Sequence, residues 1–230
     1  MAVARLSGNS LASTGSSNTS NPGGTWPTDT FRVAVLFVAT TNAVTLPNAN
    51  WTAQVDTTSN LGATGRLVVA SRFHSGADSA QVFSWGTSVA YALRVNAYTG
   101  VDTLNPWDVA PDEANILNNT TGTSLTGAAI TPTLAAYGIW VWMQARTSGA
   151  STATISTPGA IDVADAIVRP TGASGQILQW GADTVMTAGV DSGTMTGTAN
   201  ASGPWRTIPF ALREIQPLGP EPGRRLLLAA

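Results

Sequence analysis

The sequence predicts an all-β protein: a single jelly-roll-like antiparallel β-sandwich with an extended C-terminal tail. Apolar residues recur with a period of two along several segments, and only one short stretch has the residues of a helix start. Turn residues separate these segments at short intervals, which is typical of sandwiches and jelly rolls. A chain of 230 residues can bury such a core without disulfides or metal ions, so we expect one domain over residues 1–216.

The first predicted strands follow from their apolar patterns. Residues 31–39 are apolar at nearly every position, as in a central strand covered on both faces. Residues 67–73 alternate more clearly between apolar and polar side chains. Residues 81–85 and 89–98 have the pattern of two strands joined by a glycine-containing turn. The second of these two is predicted to be half-buried, with Arg94 and Asn96 on its polar face.

Two later strands are also predicted. Residues 137–145 place Trp140 and Trp142 on one face and smaller apolar residues on the other. Residues 205–215 form the last clear strand, in which Pro209 predicts an edge position or a bulge because proline cannot donate to a ladder. Across all strands, the period-two pattern predicts these buried residues: Phe31, Val33, Val35, Leu67, Val69, Val89, Tyr91, Leu93, Ile139 and Val141.

Two polar segments complete the predicted elements. The threonine-rich residues 194–202 are predicted to form an exposed strand whose outward face carries hydroxyl groups. Residues 111–118 have acids at the start of a potential helix, and we expect at most one short helical turn there.

The composition excludes several classes of function. All 11 basic residues are arginine, and against 13 acids they give a net charge of −2, so no basic surface for nucleic acid is indicated. The chain has no cysteine, which excludes disulfides, thiolate nucleophiles and cysteine-bound zinc. It also lacks an apolar run long enough to insert into a membrane and an evident signal peptide. No cofactor is predicted.

The segment 95–110 changes from a strand pattern to turn residues in its middle. Gly100 can adopt a positive φ, Asp102 can accept bonds from the backbone N–H groups that follow it, and Pro106 fixes the next turn. These features predict a structural corner. Trp107, at its end, either closes the end of the sandwich or presents an aromatic face to a sugar.

Residues 98–108 (YTGVDTLNPWD) and 48–52 (NANWT) resemble motifs of a recurrent β-sandwich family found among bacteriophage virion genes and bacterial surface proteins. The corresponding stretches in that family are similar to YRGVDPTNPID and PAGWT. The resemblance spans about residues 28–215. It implies a non-enzymatic structural protein of a phage virion, assembled in the host cytoplasm and displayed on the virion surface as a capsid decoration or as part of a tail or fibre.

The residues give little support to catalysis. His74 is the only histidine, and at a strand end it is predicted to be solvated; it has no second histidine with which to bind a metal. Asp108, Asp112 and Glu113 lie close together in sequence, which predicts either a capped turn or a Ca²⁺ site completed by Asn115 or backbone carbonyls. A glycan hydrolase using paired carboxylates remains a third interpretation, for which sequence spacing gives no direct evidence.

The tryptophans and the C-terminal tail are the predicted contacts with other molecules. The chain is expected to form homo-oligomers and to contact other capsid or tail subunits, since tryptophan is enriched at such contacts and the chain has eight. The alternative function is a carbohydrate-binding adhesin for host attachment, with Trp51, Trp107 or Trp205 stacking on a host surface glycan. The C-terminal tail, residues 217–230, contains three prolines and cannot add a regular strand. Its predicted partner contacts are Arg224, Arg225, Leu226, Leu227 and Leu228.

Overall fold

A computed structural model describes residues 2–20, 27–60, 64–74, 81–146, 153–156, 163–164 and 176–216. The described chain is almost entirely β, and a single 3-10 turn at Glu113–Asn115 is its only helical element. The strands are β1 (Ala4–Ser20), β2 (Phe31–Val38), β3 (Thr52–Asn60), β4 (Thr64–Phe73), β5 (Gln81–Thr99), β6 (Trp107–Val109), β7 (Leu117–Gly127), β8 (Ala136–Arg146), β9 (Ala153–Ser156), β10 (Val163–Ala164), β11 (Gln176–Met186) and β12 (Met195–Arg213).

The strands form two antiparallel sheets, which confirms the predicted all-β sandwich. The first sheet has the order β1-β5-β2-β4-β3, and the second has the order β10-β11-β8-β12-β6, with β7 and β9 also paired to β12. Each sheet therefore comes from one continuous half of the chain. The jelly-roll part of the prediction is not confirmed, because the strands of a jelly roll alternate between its two sheets.

The two halves of the chain repeat one strand plan. The first half contains the pairs β1·β5, β5·β2, β2·β4 and β4·β3. The second half contains β7·β12, β12·β8, β8·β11 and β11·β10 in the same sequential order. A bridge between Thr45 and Ser84 matches the pairing of β9 with β12. The last strand of each half, β5 or β12, is 19 residues long. The sandwich thus consists of two topologically equivalent units.

The main core lies between the facing sheets. It combines Phe31, Val33 and Val35 of β2 with Ile139 and Val141 of β8. Of the ten residues predicted to be buried, only Val89 is wrong, since it is half-buried at the border of a second apolar cluster. Burial of these side chains is the principal favourable term for a fold that has no disulfide.

The outer face of the first sheet is covered as well. Leu36, Val38 and Leu93 pack there beneath Phe83 and Trp85, which come from the first part of β5. Every residue of β2 is buried, as predicted for a strand covered on both faces. The predicted break of residues 81–99 into two strands is wrong. One strand bends there, and Gly86, with φ of 73°, supplies the left-handed backbone conformation that glycine adopts easily.

The prediction of a polar, exposed face on β5 is also wrong. Arg94 is 2% exposed and Asn96 is 5% exposed. Arg94 points toward the second sheet, where its guanidinium contacts Gly181 of β11. The predicted alternation of apolar and polar side chains is present, but the opposite sheet covers the polar face.

Two predictions concern β12: the exposed threonine face and the position of Pro209. Thr194, Thr196 and Thr198 are exposed while Met195 is buried, as predicted for a strand with an outward hydroxyl face. Pro209 is not on an edge strand, because β12 lies inside its sheet.

At Pro209, nevertheless, β12 is paired with a neighbouring strand on one side only. Pairing with β7 ends at Thr207, pairing with β6 begins at Ala211, and Pro209 itself pairs with Trp140 of β8. The missing N–H of proline is therefore accommodated in the gap between β7 and β6.

Candidate functional site

The corner formed by residues 100–108 joins the two halves of the chain. Gly100 has φ of 73°, as the sequence predicted for the end of β5. The Asp102 carboxylate accepts hydrogen bonds from the backbone N–H groups of Leu104, at 2.9 Å, and Asn105, at 3.2 Å. Both predictions for this turn are confirmed, and together these contacts fix the direction in which the chain leaves the first sheet.

Trp107 lies between the two sheets at the end of the sandwich. Its ring centroid is 5.3 Å from that of Phe31 on β2 and 5.7 Å from that of Phe210 on β12, and both contacts are edge-on. Edge-on aromatic pairs at such distances stabilise a core beyond the area that they bury. The indole is half-buried, so most of its contact surface serves the sandwich. This geometry favours closure of the sandwich end over sugar stacking.

Asp108 fastens the corner to the second sheet. Its side chain accepts a hydrogen bond from the backbone N–H of Thr133 at 2.6 Å and another from the Thr133 hydroxyl at 2.8 Å. The Arg213 guanidinium lies 3.6 Å from the same carboxylate, whose side chain is fully buried. Bonds to a charged acceptor are stronger than neutral ones, so Asp108 ties together three separate segments of the chain.

Asp112 has a different role from Asp108. Its carboxylate accepts a hydrogen bond from the N–H of Ala114 at 2.9 Å and caps the 3-10 turn at Glu113–Asn115. This confirms the predicted short turn. Within the parts of the chain that the structure describes, no group of three or more His, Cys, Asp or Glu side chains is arranged to hold a metal ion. The structure therefore assigns both aspartates protein contacts and gives no support to a shared Ca²⁺ site.

Two of the three tryptophans predicted to bind sugar are buried. Trp51 is 4% exposed, and its indole N–H donates to the side-chain oxygen of Gln81 at 2.8 Å. Trp51 also packs edge-on against Phe83 at 5.3 Å. Trp205 is 4% exposed and belongs to the apolar cluster on the outer face of the second sheet, with Trp140. Neither indole offers a face on which a sugar could stack.

His74 is buried, and the expectation of a solvated histidine is wrong. It follows β4 directly, is 6% exposed, and its backbone N–H donates to the carbonyl of Thr30 at 2.8 Å. The bond connects the end of β4 to the start of β2, so the residue is part of the same end of the sandwich as the corner. The predicted contact residues of the tail, Arg224–Leu228, lie outside the described residues.

A polar cluster between the sheets has no counterpart among the sequence predictions. The Arg5 guanidinium on β1 lies 3.7 Å from the carboxylate of Asp183 on β11. Nearby on β5, the Asn96 amide donates to the Tyr98 hydroxyl at 3.1 Å. Burial raises the pKa of Tyr98 well above its usual range, and the negative charge of Asp183 raises it further. An aspartate in the middle of an apolar sequence was the signal that could have indicated this cluster.

Comparisons of the chain with models of known protein families, with curated proteins and with solved structures find no match. The class of the protein is therefore defined by its fold and site: an antiparallel β-sandwich whose two sheets repeat one strand plan and are joined by an ordered corner. In the described ranges, no helix has both the length and the apolar character needed to cross a membrane.

Proposed function

We propose that the chain is a non-enzymatic structural protein of a bacteriophage virion, displayed on the particle surface as a capsid decoration or as a tail or fibre component. The observation that carries this proposal is the structural role of residues 98–108, a motif that resembles one in virion sandwich proteins. Asp102 binds backbone N–H groups of its own turn, and Asp108 binds Thr133. The most distinctive residues of the chain thus order the corner and fasten it to the second sheet.

The distribution of aromatic residues supports a structural role. Trp51, Trp140, Trp142 and Trp205 are all buried in the apolar clusters on the outer faces of the sheets. Aromatic side chains contribute strongly to core stability. Threonine residues of β12 occupy exposed positions, and charged residues make up only 10% of the chain. A rigid body with a hydroxyl-rich surface is suited to display on a particle.

The proposed partners are other capsid or tail subunits and further copies of this chain. The proposed site of assembly is the host cytoplasm, and no cofactor is part of the proposal. Residues 217–230 are proposed to dock on a neighbouring subunit through Arg224 and Arg225, whose guanidinium groups suit carboxylates, and through the leucines that follow.

Loading of the protein onto purified virions tests this function. The full chain and a chain without residues 217–230 are supplied in trans to particles that lack the protein, and occupancy is measured by quantitative mass spectrometry. We expect the full chain to be a virion component and the truncated chain to fold but load less. Absence of the full chain from virions would refute the virion role. Equal occupancy of both chains would refute only the docking of the tail.

Activity measurements test the non-enzymatic part of the proposal. We expect no hydrolysis of host surface glycan by the full chain. A hydrolytic activity that disappears in His74→Ala, or in Asp108→Ala together with Asp112→Ala, would contradict the proposal and favour a glycan hydrolase.

A carbohydrate-binding adhesin is the second candidate. The observation in its favour is that Trp107 is only half-buried and belongs to the same corner as Leu104, which is 86% exposed. Binding of host glycans on an array, lost in Trp107→Phe while the fold is retained, would support the adhesin.

A further inference from the structure

Among the described strands, β1 forms an edge of the first sheet. In the sheet order it comes first, and its ladder partner among the described residues is β5. An edge strand presents unpaired N–H and C=O groups along its outer side, which can pair with a strand of another chain. At 17 residues, β1 is also far longer than a typical strand of about 5 to 6 residues.

Nine consecutive residues of this edge are regular. From Ser7 to Gly15, each residue pairs in unbroken register with β5, from Ala97 to Val89. Register shifts fall only outside this run, between Arg5 and Ser7 and between Gly15 and Ser17. The segment from Ser7 to Gly15 contains no charged residue and no proline, which are two of the features that usually prevent edge-to-edge pairing.

The other edges of the sandwich differ from β1 in this respect. The edge strand β3 carries Asp56, which pairs with Arg66, and has a register shift between Ala53 and Val55. In the second sheet, β10 and β6 have two and three residues. The counterpart of β1 in the second half, β7, keeps its register with β12 for only four pairs, Met195–Thr198 with Gly127–Ser124, before the first shift. Among the described edge strands, the segment Ser7–Gly15 of β1 is therefore the longest run that contains neither a charged residue nor a register shift.

We propose that the segment Ser7–Gly15 of β1 pairs with the same segment of a second copy of this chain, which gives a two-fold symmetric dimer. An antiparallel self-pairing centred on Leu11 joins the two five-stranded sheets into one continuous sheet. A second copy is the occupant that the chemistry favours, because an uncharged strand meets no like-charge repulsion when it faces itself. The same segment then lies on both sides of the contact, as a closed two-fold interface requires. This inference gives the contact for the self-association that is part of the proposed function, but its failure would leave the virion role untouched, since copies would pair in this way with or without a virion.

Charged substitutions of Leu11 in the full chain test the proposal. The wild-type mass is measured by light scattering over a dilution series, and we expect a dimer that dissociates on dilution. Leu11→Lys and Leu11→Glu each place like charges opposite one another at the centre of the contact, and each should raise the Kd roughly tenfold or more. An equimolar mixture of the two variants should restore the dimer, because opposite charges then meet.

The control is Thr52→Lys on the exposed edge strand β3, which should leave the dimer unchanged. Circular dichroism shows whether each variant is folded. If a Leu11 variant does not fold, hydrogen exchange of the wild-type chain decides: those amides of Ser7–Gly15 that face away from β5 should exchange more slowly as the concentration rises, while those of β3 should not. A wild-type monomer, a dimer unaffected by either Leu11 substitution, or concentration-independent exchange in β1 would overturn the proposal.

Discussion

The guanidinium of Arg94 on β5 occupies the space that a Cβ atom on Gly181 of β11 would require. Arg94 is 2% exposed, so its long side chain is enclosed where the two sheets face each other. Glycine at position 181 is therefore needed for the close approach of an arginine from the opposite sheet, although its own backbone conformation is an ordinary extended one.

Gly181→Ala should lower the free energy of unfolding by about 1 to 3 kcal/mol, the usual effect of overpacking a core. Urea denaturation measures the change. The matched control is Gly15→Ala on β1, where the added Cβ meets its nearest neighbours, Ser17 and Tyr91, at 3.4 Å and 3.6 Å. Both variants are measured at a low protein concentration, so that pairing of β1 between copies does not contribute. These are ordinary contact distances, so the control should change stability by less than about 0.5 kcal/mol. Equal effects of the two substitutions would contradict this account of the sheet contact.

Asp108→Ala should cost about 1 to 3 kcal/mol, because it leaves a backbone N–H, a hydroxyl and a guanidinium without their shared acceptor. Asp112→Ala removes one hydrogen bond from an exposed turn and should cost about 1 kcal/mol or less. Chemical denaturation of both variants gives the ranking. If Asp112→Ala were the more destabilising change, Asp108 would not be the residue that fastens the corner.

Trp107→Ala should destabilise the sandwich by about 3 kcal/mol, since it removes a large ring from between Phe31 and Phe210. Trp107→Phe retains an aromatic ring there and should recover a substantial part of this loss. Thermal unfolding followed by circular dichroism compares the two variants. A Trp107→Ala protein with unchanged Tm would show that the indole does not close the sandwich end.

Stability should fall at high pH because the pKa of Tyr98 is raised in the folded protein. Below pH of about 10, the ordinary tyrosine value, Tyr98 is neutral in both states and its contribution is fully present. Above that value the unfolded chain releases a proton that the folded chain keeps, so stability declines by up to about 1.4 kcal/mol per pH unit.

Urea midpoints of the wild type and of Tyr98→Phe, measured from about pH 8 to about pH 11, check this pH dependence. The variant lacks the hydroxyl that accepts the bond from Asn96, so it should be less stable at neutral pH. Its decline above pH of about 10 should be shallower than that of the wild type. Parallel pH profiles would show that Tyr98 does not produce the decline.

Strands with strong apolar patterns could be predicted from the sequence. The run that became β2 and the tryptophan-rich run that became β8 both indicate buried strands by themselves. By contrast, β1 consists mainly of serine, threonine, glycine and asparagine, and β5 holds it in place through pairing. Its conformation depends on a partner distant in sequence, which no local pattern reveals.

The candidate site was predictable to the extent that its contacts are local. Gly100, Asp102 and Asp112 act within a few residues of their own positions, and turn chemistry identifies them. The burial of Arg94 and His74 depends on segments packed against them from elsewhere in the fold. The repeated strand plan was also invisible, because equivalent positions in the two halves carry different side chains.

Each sheet is made from a continuous stretch of chain, and this arrangement has a consequence during synthesis. Every ladder of the first sheet is available once Thr99 has left the ribosome, before any strand of the second sheet exists. Until the second sheet forms, the apolar inner face of β2 has no cover, and transiently exposed surfaces of this kind promote aggregation. The corner connects the second half of the chain to this face as it is synthesised, and the short length of the corner gives that half a high effective concentration there. The nascent chain thus carries the cover for its own exposed surface.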